Sequence, residues 1–366
     1  MYNTLIYVAL LLVAVLAMTR FSFRIKIVLF FVVYFTLFIL LELVDLYTDI
    51  QIWSQVERTT ECYDWFQHYL KKNYGVIEGK HVFDYSENIY LNDFDTPTEK
   101  ALQNKYELIF SELNLSSGKT LLDCGCGIGT WMLYCQERGV HVIGFTLSKE
   151  QQLVCEKRGL KVHVQDYRTL NQDFIDYFDA VSLLGSTEHV SVLSKLGTMT
   201  EKSYEDYKSL FRVLQQYLKK NGKILLTVLV QCKPKSEWTF MDYVQSYILQ
   251  RHYGGYYSKT DVISKAITDN GFYIESIKDC TKDYHWISVA EPDHFGHWSI
   301  HWNEDPLDKI LYLFKGLATD PFLLHHWLYY GLDSWMYQFG GYQTKPLSDT
   351  QVEHAIANLK YFSICN

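Results

Sequence analysis

TLLDCGCGIGT, residues 120–130, runs from an apolar stretch through Asp123 into three alternating glycines, Gly125, Gly127 and Gly129. Thr130 to Arg138 then has a helix-compatible composition. The order is strand, tight turn, helix, and glycines in such a turn let backbone N–H groups approach a ligand that a Cβ would hold away. A lone G-x-G-x-G occurs in many unrelated loops, so the next segment carries the weight. Val140 to Phe145 is apolar enough for the neighbouring parallel strand. GFTLSKEQ, residues 144–151, sets Thr146, Leu147 and Ser148 at that strand's C-terminal end and Gln151 one turn into a helix. Dinucleotide-binding chains usually carry an acidic residue there for the ribose hydroxyls. This chain does not.

LLDCGCGIG followed by GFTLSKEQ resembles the first two motifs of the cyclopropane fatty acid synthase (mycolic acid cyclopropane synthase-like) family of S-adenosylmethionine-dependent methyltransferases. Three further segments fall in that family's order. Tyr85-Ser86 resembles its cofactor lid, QDYR (Gln165 to Arg168) the motif beside the adenine, and Glu188-His189 its Glu-His pair. HYGG (252–255) and DYHW (283–286) resemble, more loosely, its Phe-Pro-Gly-Gly segment and the segment bearing its active-site tyrosine. The resemblance implies an α/β fold: a class I methyltransferase, Rossmann-like, mostly parallel seven-stranded sheet. It implies S-adenosylmethionine held by Tyr85, Ser86, Asp123, Gly125, Gly127, Gly129, Thr146, Leu147, Gln151, Asp166, Tyr167, Arg168 and Leu184.

The same resemblance assigns the chemistry. Methylating a carbon–carbon double bond leaves a carbocation that needs shielding from water, and closing a cyclopropane ring needs a base for a proton of the new methyl. The family does this with bicarbonate caged by a Glu, a His, a Tyr, a Cys and backbone groups. Glu188, His189 and Tyr284 match the first three, but Glu87 stands where the Cys would be. A carboxylate there repels a bound anion, so Glu87 itself is expected to serve as base or cation stabiliser, with bicarbonate doubtful. C-methylation of a fatty acyl or sphingoid chain, N-methylation of an amine, and a non-catalytic membrane scaffold remain alternatives.

Composition frames these readings. The 366 residues carry a formal charge of −8 and no long basic run, which argues against a nucleic-acid partner. Aromatics make up 16% of the chain, an enrichment suited to an apolar ligand tunnel or a membrane-facing surface, and equally to an aromatic core. The eight cysteines form no C-x-x-C pair and have no histidines at zinc spacing, so they read as reduced thiols and no metal is expected.

The N-terminus differs in kind. Leu5 to Met18 and Ile27 to Leu41 are apolar, separated by Arg20, Arg24 and Lys26. Each run spans roughly 21 to 23 Å as a helix, short of a hydrocarbon core of about 30 Å. They are expected to form a transmembrane or membrane-inserted helical hairpin over residues 1–47. The positive loop favours the cytoplasmic side, which for two full spans would carry the rest of the chain across the membrane. A hairpin dipping into one leaflet, or the flanking Lys71 and Lys72, reconciles this with a membrane-anchored catalytic domain facing the cytosol. The partners expected are an unsaturated lipid or sphingolipid and the membrane, with the oligomeric state open.

Residues 48–100 read as linker helices near the membrane surface followed by the cofactor lid, and 101–366 as the methyltransferase domain. A helix is expected from Thr96 to Leu113, with Asp95 or Thr98 near its start. Strands are expected at Thr120–Cys124, His141–Phe145, Lys161–Gln165, Phe178–Leu184, Gly222–Leu229, Gly271–Lys278 and Tyr337–Lys345, with a helix at Leu323–Trp335. Insertions over about 190–206 and 232–270 are expected to cover the substrate.

Overall fold

The computed structural model describes residues 54–69, 76–77, 80–81, 86–191, 200–251, 253–290 and 357–366, with isolated positions from 22 to 43 and at 307, 311, 348, 349 and 352. Alternation of buried apolar runs with amphipathic segments produces the expected α/β order. Helix α1 (Gln55–Tyr69) and a small hairpin, β1 (Val76–Ile77) with β2 (Lys80–His81), precede α2 (Thr98–Glu112). Then come β3 (Thr120–Cys124), α3 (Thr130–Gln136), β4 (His141–Thr146), α4 (Lys149–Lys157), β5 (Lys161–Val164) and β6 (Phe178–Leu184). After a single 3-10 turn at Thr187–His189 follow α5 (Thr200–Tyr217), β7 (Leu218–Gln231), α6 (Phe240–Arg251), α7 (Thr260–Thr268), β8 (Tyr273–Asp279), α8 (Thr281–Ala290) and β9 (Ala357–Cys365).

The sheet has seven strands in the order β5-β4-β3-β6-β7-β9-β8. All run parallel except β9, which is antiparallel to both neighbours. Because β3 and β6 are adjacent while their chains continue toward opposite edges, the loops leaving their C-terminal ends diverge and open a crevice there. The strands between the helical layers are apolar on both faces, as a doubly covered sheet requires: Leu121, Leu122, Val181, Leu183, Leu225 and Leu226 are all buried.

Several expectations need correction. The last strand is Ala357–Cys365, whose NLKYFSIC alternates less clearly than 337–345; the segments 337–345 and 323–335 lie outside the described residues. The inserted loop is shorter than expected, since helix α5 already begins at Thr200. The β7 strand starts at Leu218, ahead of Gly222. Helix α2 starts without a side-chain cap: Pro97, with its fixed φ, occupies the N-cap. Both apolar N-terminal runs fall largely outside the described residues, and among the described residues no helix is long and apolar enough to cross a membrane. The eight cysteines, all among the described residues, form no disulfide.

Candidate active site

The glycine turn is built by steric exclusion. Gly125 has φ +82°, and a Cβ on it would lie 2.5 Å from Ser186 Cβ, so the loops after β3 and β6 can meet only if this position is glycine. Gly125 N–H and Cys126 N–H both donate to Phe145 O, at 2.8 and 3.0 Å, which hooks the turn onto β4. Asp123 is buried beneath it, with Oδ1 accepting from Ser182 Oγ at 2.8 Å; Ser182 Oγ in turn accepts from Trp131 Nε1 at 3.1 Å. Gly129 does something else than expected. It caps α3 at φ +80°, and its missing Cβ is the space filled by Leu160 Cδ1, 2.3 Å away, so it packs helix on strand and does not line the cleft.

The second motif forms the facing wall. Thr146 Oγ1 donates to Gln151 Oε1 at 2.8 Å, and Ser148 caps α4 by accepting from Gln151 N–H at 3.1 Å. Ser148 Oγ also hydrogen-bonds Asp64 of α1, a carboxyl that burial pushes up to about 6. On the next loop Tyr167 Oη donates to Ser186 O at 2.8 Å. Arg168 clamps Asp166 through two nearly parallel bonds, Nε to Oδ1 at 2.9 Å and Nη2 to Oδ2 at 2.7 Å. Its remaining nitrogen reaches Val190 O and Gln55 Oε1, both at 3.2 Å, so this pair ties the loop after β6 to α1.

Helix α1 closes the site, and the sequence reading missed it. Expected near a membrane surface as part of a linker, it packs on α4 and reaches across the cleft. Gln55 Nε2 donates to His189 O and Gly254 O, both at 2.6 Å, and Thr59 Oγ1 to Tyr253 O at 3.2 Å. Gly254, at φ +64°, would place a Cβ 2.6 Å from Thr59 Oγ1, which gives the Gly-Gly of HYGG its reason. Tyr63 Oη lies 3.0 Å from His189 Nε2. Burial pushes the Tyr63 hydroxyl far above its usual range and lowers His189 to about 4, so the protonated phenol donates to a neutral imidazole. Gln55, Thr59 and Tyr63 are spaced i, i+4, i+8, and that hydrogen-bonding stripe along one helix face was the available signal.

These walls enclose a cleft of about 1040 Å3, part of it open to solvent. Ser86, Asp123, Gly125, Gly127, Thr146, Leu147, Gln151, Asp166, Tyr167, Arg168, Leu184 and His189 come together on it, joined by Tyr63, Val56 and Thr59. Tyr85 and His252 lie outside the described residues. Thr130 Oγ1, at the glycine turn, is buried without a hydrogen-bond partner among the described residues, which leaves a donor and acceptor for a polar ligand.

Glu87, Glu188 and Asp283 form an acidic cluster that, like Tyr284, does not line this cleft. Glu188 is buried, with Oε1 accepting from Leu229 N–H at 2.7 Å and Oε2 without a partner among the described residues. Burial pushes its carboxyl up to about 7; the Leu229 N–H opposes this and the charge of Glu87 adds to it. Glu87 is buried as well and accepts from Tyr361 Oη. Asp283, one residue before Tyr284 on α8, accepts from Tyr90 N–H at 2.6 Å, and burial holds it near 6. Tyr284 is half-buried and packs with Leu184 and Tyr257 on the apolar cluster that contains Leu229 and Tyr361. Among the described residues no cluster of His, Cys, Asp and Glu could hold a metal ion.

The sequence profile of a family described as mycolic acid cyclopropane synthetase matches residues 57–293, well over half of the chain. A probable fatty acid methyltransferase of Mycobacterium tuberculosis is 42% identical over 135 residues, 35% of this chain and 28% of that protein. The cyclopropane-fatty-acyl-phospholipid synthase of Escherichia coli K12 is 37% identical over 142 residues, 37% of this chain and 33% of its own. The chain therefore spans about a third of the length of these curated relatives. A crystal structure of a mycolic acid cyclopropane synthase complexed with SAH and CTAB superposes with TM-score 0.57 at 18% identity, covering 85% of this chain and 98% of that one, which demonstrates a shared fold.

Proposed function

The chain belongs to the mycolic acid cyclopropane synthetase family, and from that premise we propose that it is an S-adenosylmethionine-dependent methyltransferase that converts the double bond of an unsaturated lipid acyl chain into a cyclopropane. The observation that carries this reading is a polar cleft beside a buried acidic pair. Ser86 lines the cleft together with Thr146, Gln151, Asp166 and Tyr167, and the next residue, Glu87, is buried and coupled by charge to buried Glu188.

The cleft fits the cofactor's mixed chemistry: the unpartnered Thr130 hydroxyl and the Gln151 and Asp166 side chains answer hydroxyls and amines, while Ile128, Leu147 and Trp131 supply apolar wall. When bound, S-adenosylmethionine supplies an electrophilic methyl on a sulfonium. The protein's part is alignment, exclusion of water and proton removal. Helix α1 excludes water through Gln55, Thr59 and Tyr63. Tyr63 holds the His189 ring in one orientation. The acidic cluster receives the proton.

Bicarbonate is not needed in this reading. Glu87 is buried and its charge already raises Glu188, so a further anion beside it would meet that charge. Glu87 is the base in this reading, and activity should be unaffected by bicarbonate removal.

The N-terminal segment would anchor the enzyme to the bilayer that holds its substrate. Its support is the two apolar runs together with exposed Ile25, Val28, Val32, Ile39, Leu40 and Leu43, apolar side chains that water does not favour. The catalytic domain would then face the cytosol, which protease accessibility in sealed vesicles tests.

Lipid mass spectrometry of cells expressing the chain tests the reaction. The expected product is heavier than its parent lipid by one methylene and survives hydrogenation. A product that takes up hydrogen would be a methylated alkene, and unchanged lipids would refute the reading.

A further inference from the structure

Strand β9 brings Tyr361 to a carboxylate 274 residues away in the chain, where its hydroxyl donates to Glu87 Oε1. Each side chain is only 2% exposed. The segment carrying Glu87 is fixed on both sides. Lys105, fully buried in α2, donates to Ser86 Oγ at 3.0 Å, and Tyr90 N–H is held by Asp283. Glu188 is fixed by Leu229 N–H on β7, the strand that pairs with β9 and sets Tyr361 opposite Thr227. Two adjacent strands thus hold two carboxylates with unlike donors: a phenol for Glu87, one backbone amide for Glu188, whose Oε2 has no partner among the described residues. The titratable groups facing this pair are Tyr361 of β9, Cys280 and Asp283 at the start of α8, Tyr63 of α1 and Tyr207 of α5, with Lys105 behind Ser86.

We propose that Tyr361 is a positioning residue that keeps Glu87 the charged member of the pair, so that Glu87 and Glu188 hold one proton between them and it resides on Glu188. A phenol donating to a carboxylate favours its charged form, and close buried carboxylates do not both ionise. The rise of Glu188 to about 7 agrees with this division. The inference rests on the reading of Glu87 as the base. In ring closure a C–H bond of the added methyl breaks and its electron pair forms the bond to the cationic carbon. The proton passes to Glu87, which becomes a carboxylic acid as the substrate becomes neutral.

The test compares the full-length wild type with Tyr361→Phe, both in detergent. Infrared titration of the carboxyl stretches, with Glu87→Gln and Glu188→Gln spectra to assign the bands, reads the proton's location without turnover. In Tyr361→Phe the Glu87 band should titrate at higher pH, and the acidic limb of kcat/KM should move up by about one pH unit, a loss of about tenfold below the limb with little change above it. An equal loss at every pH with unmoved bands would make Tyr361 a packing residue and overturn the proposal. A proton found on Glu87 in the wild type would overturn it too, even if the phenylalanine variant did not fold. If the bands behave as expected but no methyl reaches an unsaturated lipid, the functional reading fails and the Tyr361–Glu87 assignment stands.

Discussion

Replacing Glu188 with glutamine removes a buried charge and keeps the oxygen that Leu229 N–H needs at 2.7 Å. Burial raises this carboxyl from its ordinary 4.5 to about 7. A group whose folded pKa lies above its unfolded one contributes fully below the unfolded value, and that contribution is lost as pH rises through the folded value. Wild-type stability attributable to Glu188 therefore falls between about pH 4.5 and 7, while Glu188→Gln escapes the fall. A displacement of about 2.5 units at about 1.4 kcal/mol each makes the variant more stable by about 3 kcal/mol at pH 8, by about 1 kcal/mol at pH 5 and by almost nothing at pH 4. At the entropy of unfolding of a chain this long, about 3 kcal/mol corresponds to a melting temperature higher by about 4 °C. Thermal melts of both proteins in the same detergent across pH 4 to 8 measure it. Asp64 and Asp283, also held near 6 by burial, cancel in the difference. Parallel melting curves across that range would refute the assignment of a dry, strained carboxyl at Glu188.

Gly125→Ala and Gly129→Ala should separate two kinds of glycine. The first, whose Cβ meets Ser186 backbone-proximal atoms at 2.5 Å, should weaken cofactor binding at least about tenfold by calorimetry, and wild-type affinity would count against the cleft. The second meets the ends of Leu160 and Cys155, side chains away from the cleft, so it should cost about 1–2 kcal/mol in a denaturant melt with a smaller effect on binding. Gln55→Ala releases three carbonyls, of His189, Ser191 and Gly254, and should speed cofactor dissociation in stopped-flow; an unchanged rate would deny α1 its role as cover. Tyr63→Phe removes the hydrogen bond to His189 and should lower kcat about tenfold while leaving cofactor affinity near wild type.

The methyltransferase core was legible because its signals are local. Gly125 needs φ +82° whatever surrounds it, and TLLDC and HVIGF carry their strand character within five residues. The cofactor motifs were legible for the same reason: each lies at the end of one strand, and the parallel topology brings those ends together without further information. Gly129 was misread because a packing glycine and a ligand-facing glycine look alike in a string. The last strand was placed too early because NLKYFSIC owes its strand to pairing with β7 and β8 on both sides.

The sequence by itself determined the sheet, the glycine turn and the residues that wall the cleft, since these follow from backbone conformation and the period of burial. Only the tertiary structure decided that α1 closes that cleft, through contacts such as Gln55 to His189 across 134 residues, and that Tyr361 answers Glu87 across 274. Such pairs leave no local trace: a buried hydroxyl and a buried carboxylate each look like any other polar residue until folding removes water and leaves them only one another.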